Sequence, residues 1–291
     1  MNKFKGTGVA LVTPFNQDMS IDTTALKRLV KEQIQGGTDF LVVQGTTGES
    51  PTLSAAEKQL VLNTVLEENN GKLPVVYGVG GNNTAALSES FKTIPNGVDG
   101  ILSVTPYYNK PTQKGMFAHY QKLAESTDLP IILYNVPGRT GVNMLPETTL
   151  ALAEIKNIVA VKEASGNMEQ IMEIARNRPS DFLVLSGDDA ITMPLIASGI
   201  DGVISVVANS FPAQFSKMVR LSLDGNFAEA RKIHFQLLPV TKMFFAEGNP
   251  GGVKIALEEL GWMKPFMRLP LVQVSDKLKA EIIIEVKKIT K

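Results

Sequence analysis

The stretch Ile158-Val159-Ala160-Val161-Lys162-Glu163-Ala164 decides how the chain is read. It is apolar at consecutive positions before it reaches a lysine. A parallel strand covered on both faces needs that pattern, whereas a strand with one wet face alternates. Similar runs precede it at residues 9–14, 40–45, 75–80, 100–106 and 131–135, and follow it at 182–188 and 202–206. They begin roughly 20–35 residues apart, the spacing of βα units. Eight such runs predict an α/β fold, a closed (β/α)8 TIM barrel. A doubly wound sheet is the structural rival, and it would show G-x-G-x-x-G after its first strand. Here the first run leads into Thr13-Pro14-Phe15-Asn16, and Gly78-Val79-Gly80-Gly81 lacks the third glycine. A nucleotide cofactor is therefore not expected.

Local signals support the helices between these runs. Asp22 is placed to cap one, Ser54-Ala55-Ala56-Glu57 reads as a capping box, and Asn167 with Gln170 makes a similar pair. Gly36-Gly37, Asn70-Gly71 and Gly97 are stop signals. Beyond about residue 225 the strands cease. Residues 227–246 and 251–260 read as helices, 265–270 as a connector, and Leu278, Ile282, Val286 and Ile289 as one apolar helix face. We therefore expect a barrel over 1–225 and a C-terminal helical extension, 226–291, packed on it.

Composition narrows the function. The chain has 291 residues, enough for a sizeable core, with 29 Lys+Arg balanced by 29 Asp+Glu. Zero net charge leaves no electrostatic footprint for nucleic acid or an anionic membrane. There is no cysteine, so thiolate metal sites, disulfides and cysteine nucleophiles are excluded, and two histidines are too few for a His-rich metal centre. No apolar run approaches the ~20 residues of a membrane span, and Met1 to Gly6 lacks a signal-peptide core. A cytoplasmic enzyme is the expectation.

In a barrel of this kind the chemistry lies at the C-terminal ends of the strands. Lys162 sits at such an end, on a parity shared with Ile158 and Ala160 that points inward. Burial disfavours a charged lysine, so this one suits a Schiff-base nucleophile; the competing reading is a barrel lysine paired with a carboxylate or reaching the rim. Tyr134 ends the preceding strand and is placed to move protons beside it, although a buried tyrosine with one satisfied hydroxyl is commoner. Gly45-Thr46-Thr47-Gly48-Glu49 offers hydroxyls and backbone N–H groups to a carboxylate, or is merely a capped turn. It lacks the spacing and lysine of a phosphate loop. Arg139, in Val136-Pro137-Gly138-Arg139-Thr140-Gly141, suits bidentate carboxylate recognition or a plain surface loop. Tyr107-Tyr108 would line a pocket or an interface. Asp188-Asp189 resembles a metal pair, but a helix cap is the stronger reading and no metal is assigned.

Together, Gly45 to Ser50, Thr105-Pro106-Tyr107-Tyr108-Asn109-Lys110-Pro111, Tyr134 to Gly141 and Val161-Lys162-Glu163-Ala164 resemble the dihydrodipicolinate synthase family along nearly the whole chain. The resemblance implies that Lys162 forms an imine with pyruvate, whose enamine attacks L-aspartate-4-semialdehyde in the diaminopimelate route to lysine, with no cofactor beyond the covalent imine. It assigns Tyr134 as proton shuttle, linked through Thr46 to a Tyr108 supplied by a neighbouring subunit. Thr46 and Thr47 would hold the pyruvate carboxylate, and Arg139 that of the semialdehyde. Gly187 and Ile204 would place carbonyls near the lysine. A homo-oligomer, with a tetramer as the family precedent, follows from the shared site. N-acetylneuraminate lyase and the 2-keto-3-deoxy sugar-acid aldolases share the lysine and tyrosine and remain the nearest alternatives; a non-catalytic binding or scaffold barrel is the more distant one. Lysine-sensitive relatives carry a glutamate where this chain has Ala86 and histidines where it has Ala55 and Lys58, while Ser50, Asn82 and Tyr107 match them. Weak or absent inhibition by lysine is implied, unless Glu57 or Glu89 replaces the missing carboxylate.

Overall fold

The computed structural model describes residues 3–290. Eight parallel strands close in sequence order: β1 (Gly6–Ala10), β2 (Phe40–Val43), β3 (Val75–Gly78), β4 (Gly100–Val104), β5 (Ile131–Asn135), β6 (Ile158–Glu163), β7 (Leu183–Ser186) and β8 (Gly202–Ser205), with β8 pairing back to β1. Helices α1 (Thr23–Gln35), α2 (Ala55–Asn69), α3 (Thr84–Lys92), α4 (Gln113–Ala124), α5 (Pro137–Thr140), α6 (Pro146–Ala153), α7 (Met168–Asn177), α8 (Thr192–Ala197) and α9 (Pro212–Leu223) join and surround them. The consecutive apolar runs are explained by two buried faces. Phe40, Val42, Val76, Leu102, Ile132 and Leu185 fill the barrel, while their neighbours Leu41, Val43, Ile101, Ile131 and Val184 pack outward under the helices. Each fully buried side chain of this size contributes roughly 1.5–3 kcal/mol.

The first strand lies earlier than its apolar run suggested. β1 begins at Gly6, and residues 11–14 continue past the ladder, with the Leu11 and Val12 N–H groups donating to Val42 O and Asn209 Oδ1. Glycine is required at both positions: Gly6 has φ 99°, and a Cβ at Gly8 would stand 2.3 Å from the Phe40 ring. β6 carries a second correction. Ile158 packs on the outer face, not beside Lys162 inside. Ile131 pairs with Ile158 and Ile132 with Ala160, so the extra residue Val159 reverses the parity at the start of the strand.

The capping signals place the helices well. Asp22 accepts from Ala25 N, and Ser54 and Glu57 form the full capping box. Asn167 accepts from Gln170 N, but the Gln170 side chain turns instead to Glu163, so the reciprocal half of that box is missing. After the barrel come α10 (Phe227–Ala246), α11 (Gly251–Glu259) and α12 (Asp276–Ile289). α10 packs on α9 and α12 on both α10 and α11, burying Leu278, Ile282, Val286 and Ile289 as their spacing predicted. Among the described residues no helix is long and apolar enough to cross a membrane.

Candidate active site

At the C-terminal end of the barrel, β5 and β6 are in register with Tyr134 opposite Lys162. Both are buried, and the lysine Nζ lies 4.4 Å from the centroid of the tyrosine ring. No carboxylate stands within ion-pair distance of Lys162 among the described residues. Gly187 closes the other side: a Cβ there would come within 2.6 Å of Ala164 Cβ and 3.1 Å of Lys162 Cε, so a side chain would collide with Ala164 and crowd the lysine. Ile204 is on the inner face of β8.

After β2 the chain makes a tight 3-10 turn over Thr46–Gly48. The buried Thr47 Oγ1 accepts from Asn249 Nδ2 at 2.9 Å, which leaves its own O–H free to donate. Gly48 O accepts from Thr13 Oγ1 at 2.7 Å. Glu49, in the left-handed region at φ 53°, reaches the amine of Lys254 on α11, Oε1 to Nζ 2.5 Å. That amine also donates to Thr13 O and Phe266 O and lies 4.5 Å from the Phe15 ring centroid. Burial pulls Lys254 down to about 8, against the upward pull of Glu49. Beyond it, Arg268 donates its backbone N–H to Glu49 and clamps Glu57 with both guanidinium nitrogens, holding that carboxyl at about 2. The threonine turn is thus tied to the C-terminal helices by buried charge.

A cavity of about 470 Å3 opens here, and its wall includes Thr46, Tyr134, Arg139, Asn249, Tyr107 and Gln44. Lys162 does not line the cavity; it lies against Tyr134, which does. Thr47, Gly187 and Ile204 also stand off the wall. Arg139 comes from the short α5 and is exposed. Thr46 and Tyr134 share the cavity, with no hydrogen bond joining them among the described residues. Tyr108 is 87% exposed at φ 67° and is absent from the wall of its own chain's cavity. Asp188 caps the turn Asp189–Ile191, while Asp189 is buried against β8. Among the described residues no three His, Asp or Glu side chains are grouped to hold a metal.

Four features of the site escape motif reading. Asn249, which orients Thr47, lies in the turn before α11, where only an Asn-Pro dipeptide marks it. Lys254 left a clearer trace, as a lone charge in the apolar run Gly-Gly-Val-Lys-Ile-Ala-Leu. Gln44, at φ 64°, is buried with both amide atoms lacking a hydrogen-bond partner among the described residues. Asp189 reads from the sequence as half of a metal-like pair or as a cap, and neither reading shows its buried link to β8.

The chain matches the model of the Dihydrodipicolinate synthetase family over residues 3–289. It belongs to that family. A relative from Flavobacterium psychrophilum named 4-hydroxy-tetrahydrodipicolinate synthase is 50% identical, with all of both chains covered. The crystal structure of dihydrodipicolinate synthase from Thermotoga maritima superposes with a TM-score of 0.97 at 42% identity, covering 99% of each chain. A structure described as the first monomeric dihydrodipicolinate synthase variant gives 0.95 at 43% identity, covering 99% of this chain and 97% of that one. Glu57 is paired with Arg268 and Glu89 with Lys92. Lys58 lines the cavity.

Proposed function

We propose that this chain is a lyase that condenses pyruvate with L-aspartate-4-semialdehyde to give 4-hydroxy-tetrahydrodipicolinate, in the cytoplasmic diaminopimelate route to lysine. The Lys162 amine adds to the pyruvate ketone, and loss of water gives the iminium. Loss of a methyl proton makes the enamine, whose carbon attacks the semialdehyde carbonyl. The semialdehyde amine then adds to the imine carbon, the ring closes, and Lys162 leaves. The chemistry uses a covalent imine with the substrate itself and calls on no separate cofactor. Tyr134, held against Lys162, moves protons in imine formation and release. The Thr47 hydroxyl, its oxygen already engaged by Asn249, donates to the pyruvate carboxylate with the Thr46 turn; Arg139 receives the second carboxylate. Gly187 and Ile204 lend backbone carbonyls beside the imine. Tyr108 completes the site of a second copy through Thr46, which makes the working form a homo-oligomer, with a tetramer as its assembly.

The observation that carries this reading is a buried lysine in register with a tyrosine and without an ion-pair partner at the barrel's C-terminal end. A scaffold gains nothing from such a lysine, whose burial costs stability. Arg139 and the Tyr107-Tyr108 pair favour the amino-acid semialdehyde over the sugar acids of the related lyases. Borohydride with pyruvate should leave a reduced pyruvate adduct detectable by intact mass, absent from Lys162→Ala; an unchanged adduct on that variant would move the chemistry to another lysine. Turnover with the semialdehyde, and not with sugar-acid substrates, separates the synthase from the lyases. Mixing Lys162→Ala with Tyr108→Phe chains should restore partial activity, because one site in a mixed assembly then has both groups; no recovery would place Tyr108 outside the reaction.

A further inference from the structure

Asp189 opens the 3-10 turn after β7 and is 2% exposed. Its Oδ1 accepts from the Ser205 hydroxyl and its Oδ2 from Val206 N at 3.0 Å. Ser205 Oγ in turn accepts from Ala208 N at 2.9 Å. This carboxylate therefore fixes the path of the backbone just after Ile204. Two residues before it, Gly187 packs on Lys162 and donates its N–H to Glu163 O at 2.7 Å. Asp189 thus joins the turn that packs on the lysine to the end of β8, and both of its donors are neutral.

Fastening a strand end to a turn does not require a charge. An asparagine or serine would supply an acceptor without the cost of burying an anion. No lysine, arginine or histidine forms an ion pair with Asp189 among the described residues. Lys162 is the cation that bears on it, and Asp188 the anion. Helix α8 carries no charged residue, and burial lowers the pKa of His234 on α10, favouring its neutral form.

We propose that Asp189 is a positioning residue that holds a fixed negative charge for the iminium on Lys162, anchored through Ser205 and Val206. This rests on the Schiff-base reading of Lys162. The imine nitrogen must be protonated before a methyl proton of bound pyruvate leaves, because the positive nitrogen draws in the electron pair of the broken C–H bond and becomes neutral in the enamine. A pre-set anion in a dry barrel favours that state without reorganising. Burial is the main cause that lifts Asp189 to about 6, opposed first by the hydrogen bonds from Ser205 and Val206 and least by Lys162. The charge is therefore present at neutral pH and lost as pH falls through about 6.

Enzyme-catalysed exchange of pyruvate methyl protons with D2O, followed by NMR without the second substrate, reads this step directly. In the wild-type chain exchange should fall as pH drops through about 6. Asp189→Asn should still yield an adduct with pyruvate and cyanoborohydride, yet exchange at least about tenfold more slowly at pH 7.5 and show no fall near 6. Ser205→Ala, which keeps the carboxylate, should retain that fall, and Asp189→Glu should restore part of the rate. An Asp189→Asn chain with the wild-type profile, or slowed equally at every pH with the fall intact, would overturn the proposal. If that variant does not fold, a wild-type profile flat across pH 6 overturns it equally. Failure of the wild type to form any adduct would instead overturn the Schiff-base reading.

Discussion

Lys254→Met should cost the protein far more than a surface charge would. The lysine amine makes three hydrogen bonds, to Glu49 Oε1, Thr13 O and Phe266 O, with no exposed side-chain surface on either partner of the ion pair. Methionine fills similar space but leaves Glu49 with the Arg268 N–H at 3.2 Å as its remaining donor and strands two carbonyls. Breaking one side of a buried pair costs about 3–5 kcal/mol. With an unfolding entropy of ~2.1 cal/mol/K per residue, a chain of 291 residues should lose about 5–8 °C in Tm. Adding Glu49→Gln should recover part of that loss, since the uncompensated charge disappears with it. Thermal unfolding by circular dichroism measures all three chains, and pyruvate trapping follows the site. Because Glu49 ends the threonine turn, trapping should weaken in the single variant at temperatures where it is still folded. A Tm within about 2 °C of wild type, or a double variant no better than the single, would refute the reasoning.

Lysine should inhibit turnover only above millimolar concentration. The carboxylate absent at Ala86 removes a charge-assisted hydrogen bond worth about 1.5–3 kcal/mol, roughly tenfold or more in affinity, and Lys58 repels the ligand; half-inhibition below millimolar in the coupled assay would contradict this. Stability should also fall in mild acid through His119. Burial lowers it to about 4, so the unfolded chain takes up a proton near 6.5 that the folded chain refuses. Its contribution is complete above about 6.5, declines below it by up to about 3 kcal/mol, and levels off once the folded group also protonates near 4. Urea unfolding of His119→Gln against pH should show a shallower slope in that window.

What was legible in the sequence was whatever repeats or stays local. All eight strands stood out because burial on both faces writes continuous apolar runs, and the caps at Asp22 and Ser54 need no more than four consecutive residues. Lys162 and Tyr134 were visible because each breaks an apolar run at its end. The start of β1 is hidden from the apolar pattern because the space claimed by the Phe40 ring, not local propensity, puts a glycine in that strand. The outward face of Ile158 is hidden because a bulge changes parity without changing composition. Thr46 and Thr47 are recognisable as a motif, but which of them faces the cavity depends on turn geometry that residue spacing does not specify.

The unread part of the site is the part made by distant pairs. Asn249 meets Thr47 across 202 positions, and Lys254 meets Glu49 across 205. Neither pair has a period or a fixed spacing, so no local pattern announces it. These contacts also change what the C-terminal helices are for. An extension that only covered apolar surface would meet the barrel through residues such as Leu278 and Ile282 and would need no buried cation. Here α11 sends an amine into the foot of the threonine turn, and the turn before it sends an amide to the hydroxyl at its centre. The barrel supplies the lysine and tyrosine; the helices after it hold the threonine turn at the opposite side of the closed sheet. The threonine turn is held from both ends of the chain, so stability of the C-terminal packing and orientation of the Thr47 hydroxyl are coupled through the Asn249 hydrogen bond and one buried ion pair.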